Sequence, residues 1–221
     1  MKTKLILGTM NPSKLDEMRN YFIGMELDAL APQDVVSGKP DIEESASTMR
    51  GNAILKASAW NRLTGLPAMA EDSGLLFLDL PEDHPDQPGV SVRRFKGKSQ
   101  TDDEMLAHYI EIVHRHGGTL RAAWMNCWCI LLDAEHGETY ENTSIPFILK
   151  DTPSPHRNPG WPLDSISYLP EIGKALVDAT EEEMTERNRN DTREESFRLW
   201  LHAAATRLID GSTPYLTYSK S

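Results

Sequence analysis

A run of small and apolar residues, Leu66-Pro67-Ala68-Met69-Ala70, is closed by Glu71-Asp72-Ser73-Gly74-Leu75. The first part has the composition of a buried strand. An ionised carboxylate is costly to bury and needs a counter-charge, a metal ion or a proton. A chain that sets two acids at the carboxyl end of such a strand is therefore limited to folds in which that end meets a cation or a ligand. Two acids, a hydroxyl and a glycine suit Mg²⁺ binding and activation of a water molecule. The alternative is a plain strand-to-turn exit, for which Asp-Ser-Gly is common chemistry. The expectation is one or two strands over 67–80, broken near Asp72 to Gly74.

At 221 residues the chain suits one large domain or two closely joined lobes, with a core that needs no disulfides. Its apolar stretches fall short of a membrane span. The opening Met1-Lys2-Thr3-Lys4 passes straight into Leu5-Ile6-Leu7, too short for a signal peptide. Cys127 and Cys129 are the only cysteines. Their spacing in a strand puts both on one face, a poor geometry for a disulfide and no zinc pattern. These features predict a cytoplasmic protein without a membrane partner. Lys and Arg total 23 against 34 Asp and Glu, a net charge of −11. That balance does not favour nucleic acid, and an anionic substrate requires the basic residues to gather in one place.

The apolar periodicity predicts a strand over 3–8 and a helix over 13–23 with Leu15, Met18 and Phe22 on one stripe. A second helix is expected over 47–63 with Met49, Ala53, Ala57 and Trp60 inward. Residues 81–98 read as a loop rich in Pro, Gly and charge. Thr101 and Glu104 form a capping-box pattern for a helix running to about 116. Long strands are expected over 120–132 and 139–149. Thr180/Glu183 and Thr192/Glu195 repeat the capping-box pattern before the last two helices. Phe197, Trp200, Leu201, Ala204 and Leu208 point inward from the second of these. This mixture defines an α/β protein.

Five segments carry candidate chemistry. Leu7-Gly8-Thr9-Met10-Asn11-Pro12-Ser13-Lys14 places a polar turn and a lysine at a helix start, where backbone amides attract phosphate. Its other reading is a simple N-cap by Asn11 or Ser13. Asn52 and Lys56 share one helix face, and Glu44 in the preceding loop is within reach of a shared metal. Arg93-Arg94-Phe95-Lys96 sets three cations beside an aromatic ring, suited to phosphate or a base. Asn158-Pro159-Gly160-Trp161-Pro162-Leu163-Asp164 offers a stacking platform in Trp161 and a base-edge acceptor in Asp164. Arg187, Arg189 and Arg193 are expected between two helices. His114 and His116 are assigned to a helix end, and His84 looks incidental.

In this order and spacing the segments resemble the inosine/xanthosine triphosphate pyrophosphatase family, the Ham-type nucleotidases. The family's Thr-Gly-Asn-x-x-Lys looks like Thr9-Met10-Asn11-Pro12-Ser13-Lys14. Its Glu-Asn-Ala-x-x-Lys-Ala looks like Gly51-Asn52-Ala53-Ile54-Leu55-Lys56-Ala57, and its metal-binding Glu falls on Glu44. Asp-Ser-Gly-Leu is intact at Asp72 to Leu75. Pro-Gly-x-x-Ser-Ala-Arg-Phe is similar to Pro88 through Phe95, with Val92 for Ser and Arg94 for Arg. Gly-Phe-Gly-Tyr-Asp-Pro appears as Gly160-Trp161-Pro162-Leu163-Asp164-Ser165. Glu-Lys-Asn followed by Ser-His-Arg appears as Glu186-Arg187-Asn188 followed by Asp191-Thr192-Arg193, without the Ser-His pair.

The resemblance implies a mixed central β-sheet with flanking helices, two lobes around a deep cleft, one domain over 1–221, and a homodimer. It implies a Mg²⁺-dependent hydrolase that releases pyrophosphate from a nucleoside triphosphate. Glu44 and Asp72 would hold the metal, and Asp72, Glu71 and Lys14 would serve catalysis. Thr9, Asn11, Lys14, Asn52, Lys56, Ser73 and Arg94 would hold the phosphates, and Trp161, Asp164, Arg187 and Arg193 would frame the base. The altered base-end segments imply weak or shifted discrimination among bases. The rival readings are the same fold acting on a modified or pyrimidine nucleotide, and a nucleotide-binding module without catalysis.

Overall fold

Strands and helices alternate along the first part of the chain: β1 (Thr3–Leu7), α1 (Pro12–Asn20), β2 (Leu27–Leu30), α2 (Met49–Thr64) and β3 (Ala68–Phe77). A short hairpin, β4 (Arg94–Phe95) and β5 (Lys98–Ser99), leads into α3 (Asp102–Arg115). Then come β6 (Thr119–Leu131), β7 (Gly137–Thr143), β8 (Phe147–Lys150), β9 (Ser167–Leu169), β10 (Lys174–Ala175), α4 (Glu181–Asn188) and α5 (Arg193–Asp210). The structure is a computed structural model and describes residues 2–38, 40–95 and 97–216. Lys96 of the basic segment lies outside the described residues, as does the side chain of Ser13. No described helix is long and apolar enough to cross a membrane.

The chain forms two units. One is built from Met1–Ser73, Asn126–Asn142 and Thr192–Ser221, the other from Gly74–Met125 and Thr143–Asp191. Strands β3 and β6 each contribute to both units.

In the first unit β1 pairs in parallel with β2, Leu5 opposite Ala29, and with β3, Ile6 opposite Ala68. Parallel strands covered on both faces read as unbroken apolar runs, which Leu5-Ile6-Leu7 and Ala68-Met69-Ala70 are; Cys127 to Leu131 of β6, beside β3 in the sheet, is equally apolar. The pleat divides each run between two helical layers. Leu5, Leu7, Met69, Trp128 and Ile130 pack with Leu15, Met18 and Phe22 and with Phe197, Leu201, Ala204 and Leu208 of α5. Residues of the opposite parity meet α2: Ile6 and Ala68 pack on Trp60, and Ala70, Cys127, Cys129 and Leu131 on Ala53, Ile54 and Ala57. The two cysteines share one face and are free, and burial pushes both thiols up, Cys127 to about 12.

The second unit is antiparallel. β6 pairs with β8, Leu120 opposite Leu149, and β8 with β9, Ile148 opposite Tyr168. The apolar stripe of α3, Met105, Leu106, Tyr109, Ile112 and Val113, closes over Leu75, Phe77, Leu120, Phe147 and Leu149. Thr101 caps this helix and Glu104 completes the capping box, as does the Thr180/Glu183 pair for α4. The fold is α/β, with a mixed sheet flanked by helices.

Three sequence expectations need correction. β3 is not broken near Asp72 to Gly74 but runs unbroken through the acidic segment, because extended backbone lets each acid find a partner on its own face. The strand expected over 139–149 is two strands, β7 and β8, parted at Ser144-Ile145-Pro146, where proline has no amide to donate to a ladder. Thr192 precedes α5 without a side-chain cap, since its backbone is already helical at φ −83° and ψ −1° rather than extended.

Gly8, at the end of β1, has no room for a side chain. A Cβ there would lie 2.6 Å from Trp60 Cδ1 and 2.8 Å from the Met69 carbonyl oxygen. The close approach lets Gly8 N–H donate to that carbonyl at 2.6 Å and turns the chain toward α1. Gly8→Ala is expected to lower unfolding stability by about 1–3 kcal/mol through overpacking; a urea midpoint equal to that of the parent chain would contradict this account.

Candidate functional site

The turn after β1 is tight and polar. Thr9 N–H donates to the Leu7 carbonyl at 2.7 Å, and Thr9 Oγ1 accepts from Asn11 N–H at 3.2 Å. Pro12 takes the first helical position of α1, where its missing amide costs nothing. Lys14, one turn in, reaches Glu71 Oε2 at 3.3 Å. Met10, in the family's glycine position, is exposed.

The strand pleat separates the acids of β3. Glu71 and Ser73 share the parity of Met69, and Ser73 Oγ donates to Glu71 Oε1 at 2.8 Å. Asp72 shares the parity of Ala68 and Ala70 and faces α2. It is buried, 6 % exposed. Lys56 Nζ donates to Asp72 Oδ1 at 2.6 Å and to the Glu71 carbonyl at 3.2 Å, and lies 3.4 Å from Glu44 Oε1. One ammonium thus gathers Glu44, Asp72 and a strand carbonyl.

Asn52, one helical turn before Lys56, is buried with both ends of its amide engaged. Nδ2 donates to Asp72 Oδ2 at 3.3 Å and Oδ1 accepts from Ala46 N–H at 3.0 Å. It ties the Glu44 loop to Asp72. Gly51 helps in the same way, since a Cβ there would lie 2.5 Å from Ala46 Cβ. Burial raises the Asp72 carboxyl above its ordinary value; Lys56 and Asn52 work against that shift, and Glu44 adds to it. A raised carboxyl is a better proton acceptor near neutrality than a free aspartate.

The phosphate candidate Arg94 and the base candidates Trp161, Asp164 and Arg187 lie in the second unit, and Arg193 is the first residue of α5 in the first. Arg94 sits in β4, opposite Ser99. Trp161 is 39 % exposed in its turn. Asp164 Oδ2 accepts from Asn158 Nδ2 at 2.9 Å, and burial raises its carboxyl while that hydrogen bond lowers it. Arg187 belongs to α4 rather than to an inter-helix loop; it pairs with Glu171 at 3.3 Å and donates to the Pro146 carbonyl at 3.3 Å. Of the three arginines expected between the helices only Arg189 lies there, paired with Glu186.

The sequence places Arg93 in a basic segment suited to phosphate or a base and gives no sign of a site role for Asp102. The two form an ion pair at 2.7 Å, and both also bond the backbone of Gly160. Asp102 is indistinguishable in sequence from an acid serving the α3 dipole. His84, set aside as incidental, packs its ring on His116 with centroids 5.3 Å apart. Among the described residues, His84, Asp86 and His116 are the cluster whose ligand atoms lie within 4.8 Å of one another. Within it, Asp86 accepts from Arg115 at 2.8 Å and pairs with His116 Nε2 at 2.9 Å, and His84 Nδ1 takes the Asp86 amide at 3.1 Å. This is an ion-pair network at the C-terminal end of α3, where the dipole favours cations.

The fold and these residues define a chain of the Ham1 type. Residues 5–202 match the sequence model of the Ham1 family, and the chain belongs to that family. It is 34% identical over 173 residues to a protein of Coxiella burnetii named dITP/XTP pyrophosphatase, covering 76% of this chain and 80% of that one. A Pectobacterium atrosepticum protein of the same name is 30% identical over 206 residues, 90% of this chain and 97% of its own. Among solved structures, a HAM1 protein from Coxiella burnetii superposes with a TM-score of 0.72 at 26% identity, covering 91% of this chain and 100% of that one. The Staphylococcus aureus Ham1 protein gives 0.71 at 19% identity, covering 91% and 99%, and shares the fold.

Replacing Lys56 by methionine removes the ammonium between the acids and leaves Asp72 with Asn52 alone. The Asp72 carboxyl is then expected to titrate at higher pH than in the parent chain. Carboxyl-carbon NMR against pH reads this directly, and an unmoved or lowered Asp72 titration would refute the role given to Lys56.

Proposed function

We propose that the chain is a nucleoside triphosphate pyrophosphohydrolase, cleaving between the α- and β-phosphates to give a monophosphate and pyrophosphate. The observation that carries this reading is the convergence of Glu44, Asp72 and the Glu71 carbonyl on Lys56, with Lys14 on Glu71 across the same strand. Alternating acids and ammonium groups suit a ligand that carries both a cation and phosphates. The names of the curated relatives support the same activity.

The donor set fits a hard divalent cation. Glu44 and Asp72 already share a positive charge, 3.4 and 2.6 Å from its nitrogen, and both offer oxygen, as Mg²⁺ requires. We assign Glu44 and Asp72 to Mg²⁺, which when bound would neutralise phosphate charge and make water easier to deprotonate.

The chain's own residues supply the rest. Asp72 or Glu71 takes a proton as the water oxygen attacks phosphorus, and the bridging P–O bond breaks toward pyrophosphate. Asn52 holds Asp72 in orientation. Thr9, Asn11, Lys14, Lys56, Ser73 and Arg94 bind phosphate oxygens, whose charge grows in the transition state. Trp161 stacks on the base, and Asp164, Arg187 and Arg193 frame it. The whole chain acts as one catalytic domain, in the cytoplasm and as a homodimer; light scattering that returns a monomer at working concentrations would remove the last point.

Asp72→Asn is expected to cut pyrophosphate release by about 10²-fold or more while the chain still melts cooperatively. Undiminished release from that folded variant sinks the assignment. Turnover of ITP, XTP, dITP, GTP, ATP and pyrimidine triphosphates under one set of conditions is expected to differ little among purines, or to favour a purine other than inosine and xanthosine. A strong preference for ITP and XTP would overturn the weight given to Asp191-Thr192 in place of Ser-His.

A further inference from the structure

One ion pair holds both polar backbone groups of a single residue in the turn before Trp161. Asp102 Oδ1 bonds Arg93 Nη1 at 2.7 Å, and Asp102 Oδ2 accepts from Gly160 N–H at 2.7 Å. Arg93 Nη2 donates to the Gly160 carbonyl at 3.1 Å. Three hydrogen bonds thus close a ring through two side chains and one peptide unit on each side of Gly160. All of these residues belong to the second unit.

Both anchors are themselves fixed. Asp102 opens α3 directly behind the Thr101 cap, and the Arg93 carbonyl accepts from Gln100 N–H at 2.9 Å across the β4–β5 hairpin. Gly160 has φ +85°, a conformation that glycine adopts without strain. Beyond it the turn ties itself together. Trp161 N–H donates to the Asn158 carbonyl at 2.9 Å, Asp164 N–H donates to the Trp161 carbonyl at 3.2 Å, and Asn158 Nδ2 reaches Asp164. The backbone of Trp161 is therefore held on both sides while its ring stays 39 % exposed. An aromatic face held ready by backbone bonds loses little freedom when a planar ligand stacks on it.

The tie coincides with two departures from the family pattern. Alanine stands in that pattern where this chain has Arg93, and Phe-Gly stands where it has Trp161-Pro162. An alanine could not reach the Gly160 carbonyl. The wider indole and the arginine that braces its turn occur together.

We propose that Arg93 and Asp102 are positioning residues for the nucleotide base, fixing the Gly160–Trp161 turn so that the indole stacks on a purine. The proposal rests on the assignment of Trp161 to the base made above. Stacking gives affinity with little regard to base-edge groups, so the tie supplies binding rather than selection. Arg93 and Asp102 are each 39 % exposed, and an ion pair so open to water contributes little to global stability. Its effect belongs in the order of one turn.

The test uses the full chain with Arg93→Ala, Asp102→Asn and the double variant. Amide hydrogen exchange over 158–162, calorimetric binding of inosine monophosphate and of inorganic pyrophosphate, and steady-state pyrophosphate release are read on each, with melting to confirm the fold. Exchange over 158–162 is expected to speed up about tenfold, with nucleotide affinity falling and KM rising about tenfold and kcat unchanged within about twofold. Pyrophosphate, which lacks a base, is expected to bind as before. The double variant is expected to match the worse single one, because both remove the same ring of bonds. Unchanged exchange, unchanged nucleotide affinity, or an equal loss for pyrophosphate overturns the proposal. Parent chain that binds inosine monophosphate but releases no pyrophosphate refutes the catalytic reading, and the binding and exchange arms still decide the tie. Parent chain that binds no nucleotide refutes both.

Discussion

A buried aspartate beside an apolar strand destabilises a fold unless something answers its charge. Lys56 answers it here, and much of the first unit is arranged so that it can. α2 must lie against β3 closely enough for an ammonium one turn beyond Asn52 to reach Asp72 at 2.6 Å. That approach requires the small residues Ala53 and Ala57 on the helix and Ala68 and Ala70 on the strand, all buried. Asn52 then completes the carboxylate's hydrogen bonding and fastens the loop that carries Glu44. Charge pairing and close packing are thus one requirement, and a larger residue at Ala53 or Ala57 would disturb the acids without touching them.

The elements of the fold were largely legible in the sequence, for local reasons. Leu15 and Met18 mark the buried stripe of α1, which ends at Asn20 so that Phe22 packs from the turn beyond it, and Ala53, Ala57 and Trp60 mark that of α2, because helical periodicity is written in consecutive residues. Thr101/Glu104 and Thr180/Glu183 capped as expected because those bonds close within four residues. Thr192/Glu195 has the same letters and no such cap, since the local turn in which Asp191 N–H donates to the Asn188 carbonyl leads into a helical rather than extended Thr192. The continuity of β3 was hidden for a related reason. Asp-Ser-Gly favours a turn in isolation; here it lies in the sheet between β1 and β6, and Lys56 and Lys14, 16 and 57 residues away, answer the charges of Asp72 and Glu71.

The candidate site was legible as residues but not as pairings. Resemblance assigned Glu44, Asp72, Lys14 and Lys56 together; it did not say that Lys56 holds Glu44 and Asp72 while Lys14 holds Glu71. That division follows from the two-residue repeat of the strand, which is visible in sequence once the strand is known to be unbroken. Arg93 and Asp102 were harder to see. Each has an ordinary local explanation, and their joint contact with Gly160 spans about sixty residues of chain.

The alternation of β3 has a genetic consequence. Odd-numbered Met69, Glu71 and Ser73 belong to one side of the sheet, and even-numbered Ala68, Ala70 and Asp72 to the other. The acid that meets α2 is therefore encoded by parity as well as by identity. Deleting one codon upstream of Glu71 within the strand would turn Glu71 toward Lys56 and Asp72 toward Lys14, retaining every charged residue while exchanging their partners. Deleting two would restore the sides and shift only the depth. Reading frames of this kind exist in the folded chain as in the message, and a single-residue length change in this strand acts as a frameshift of its two faces.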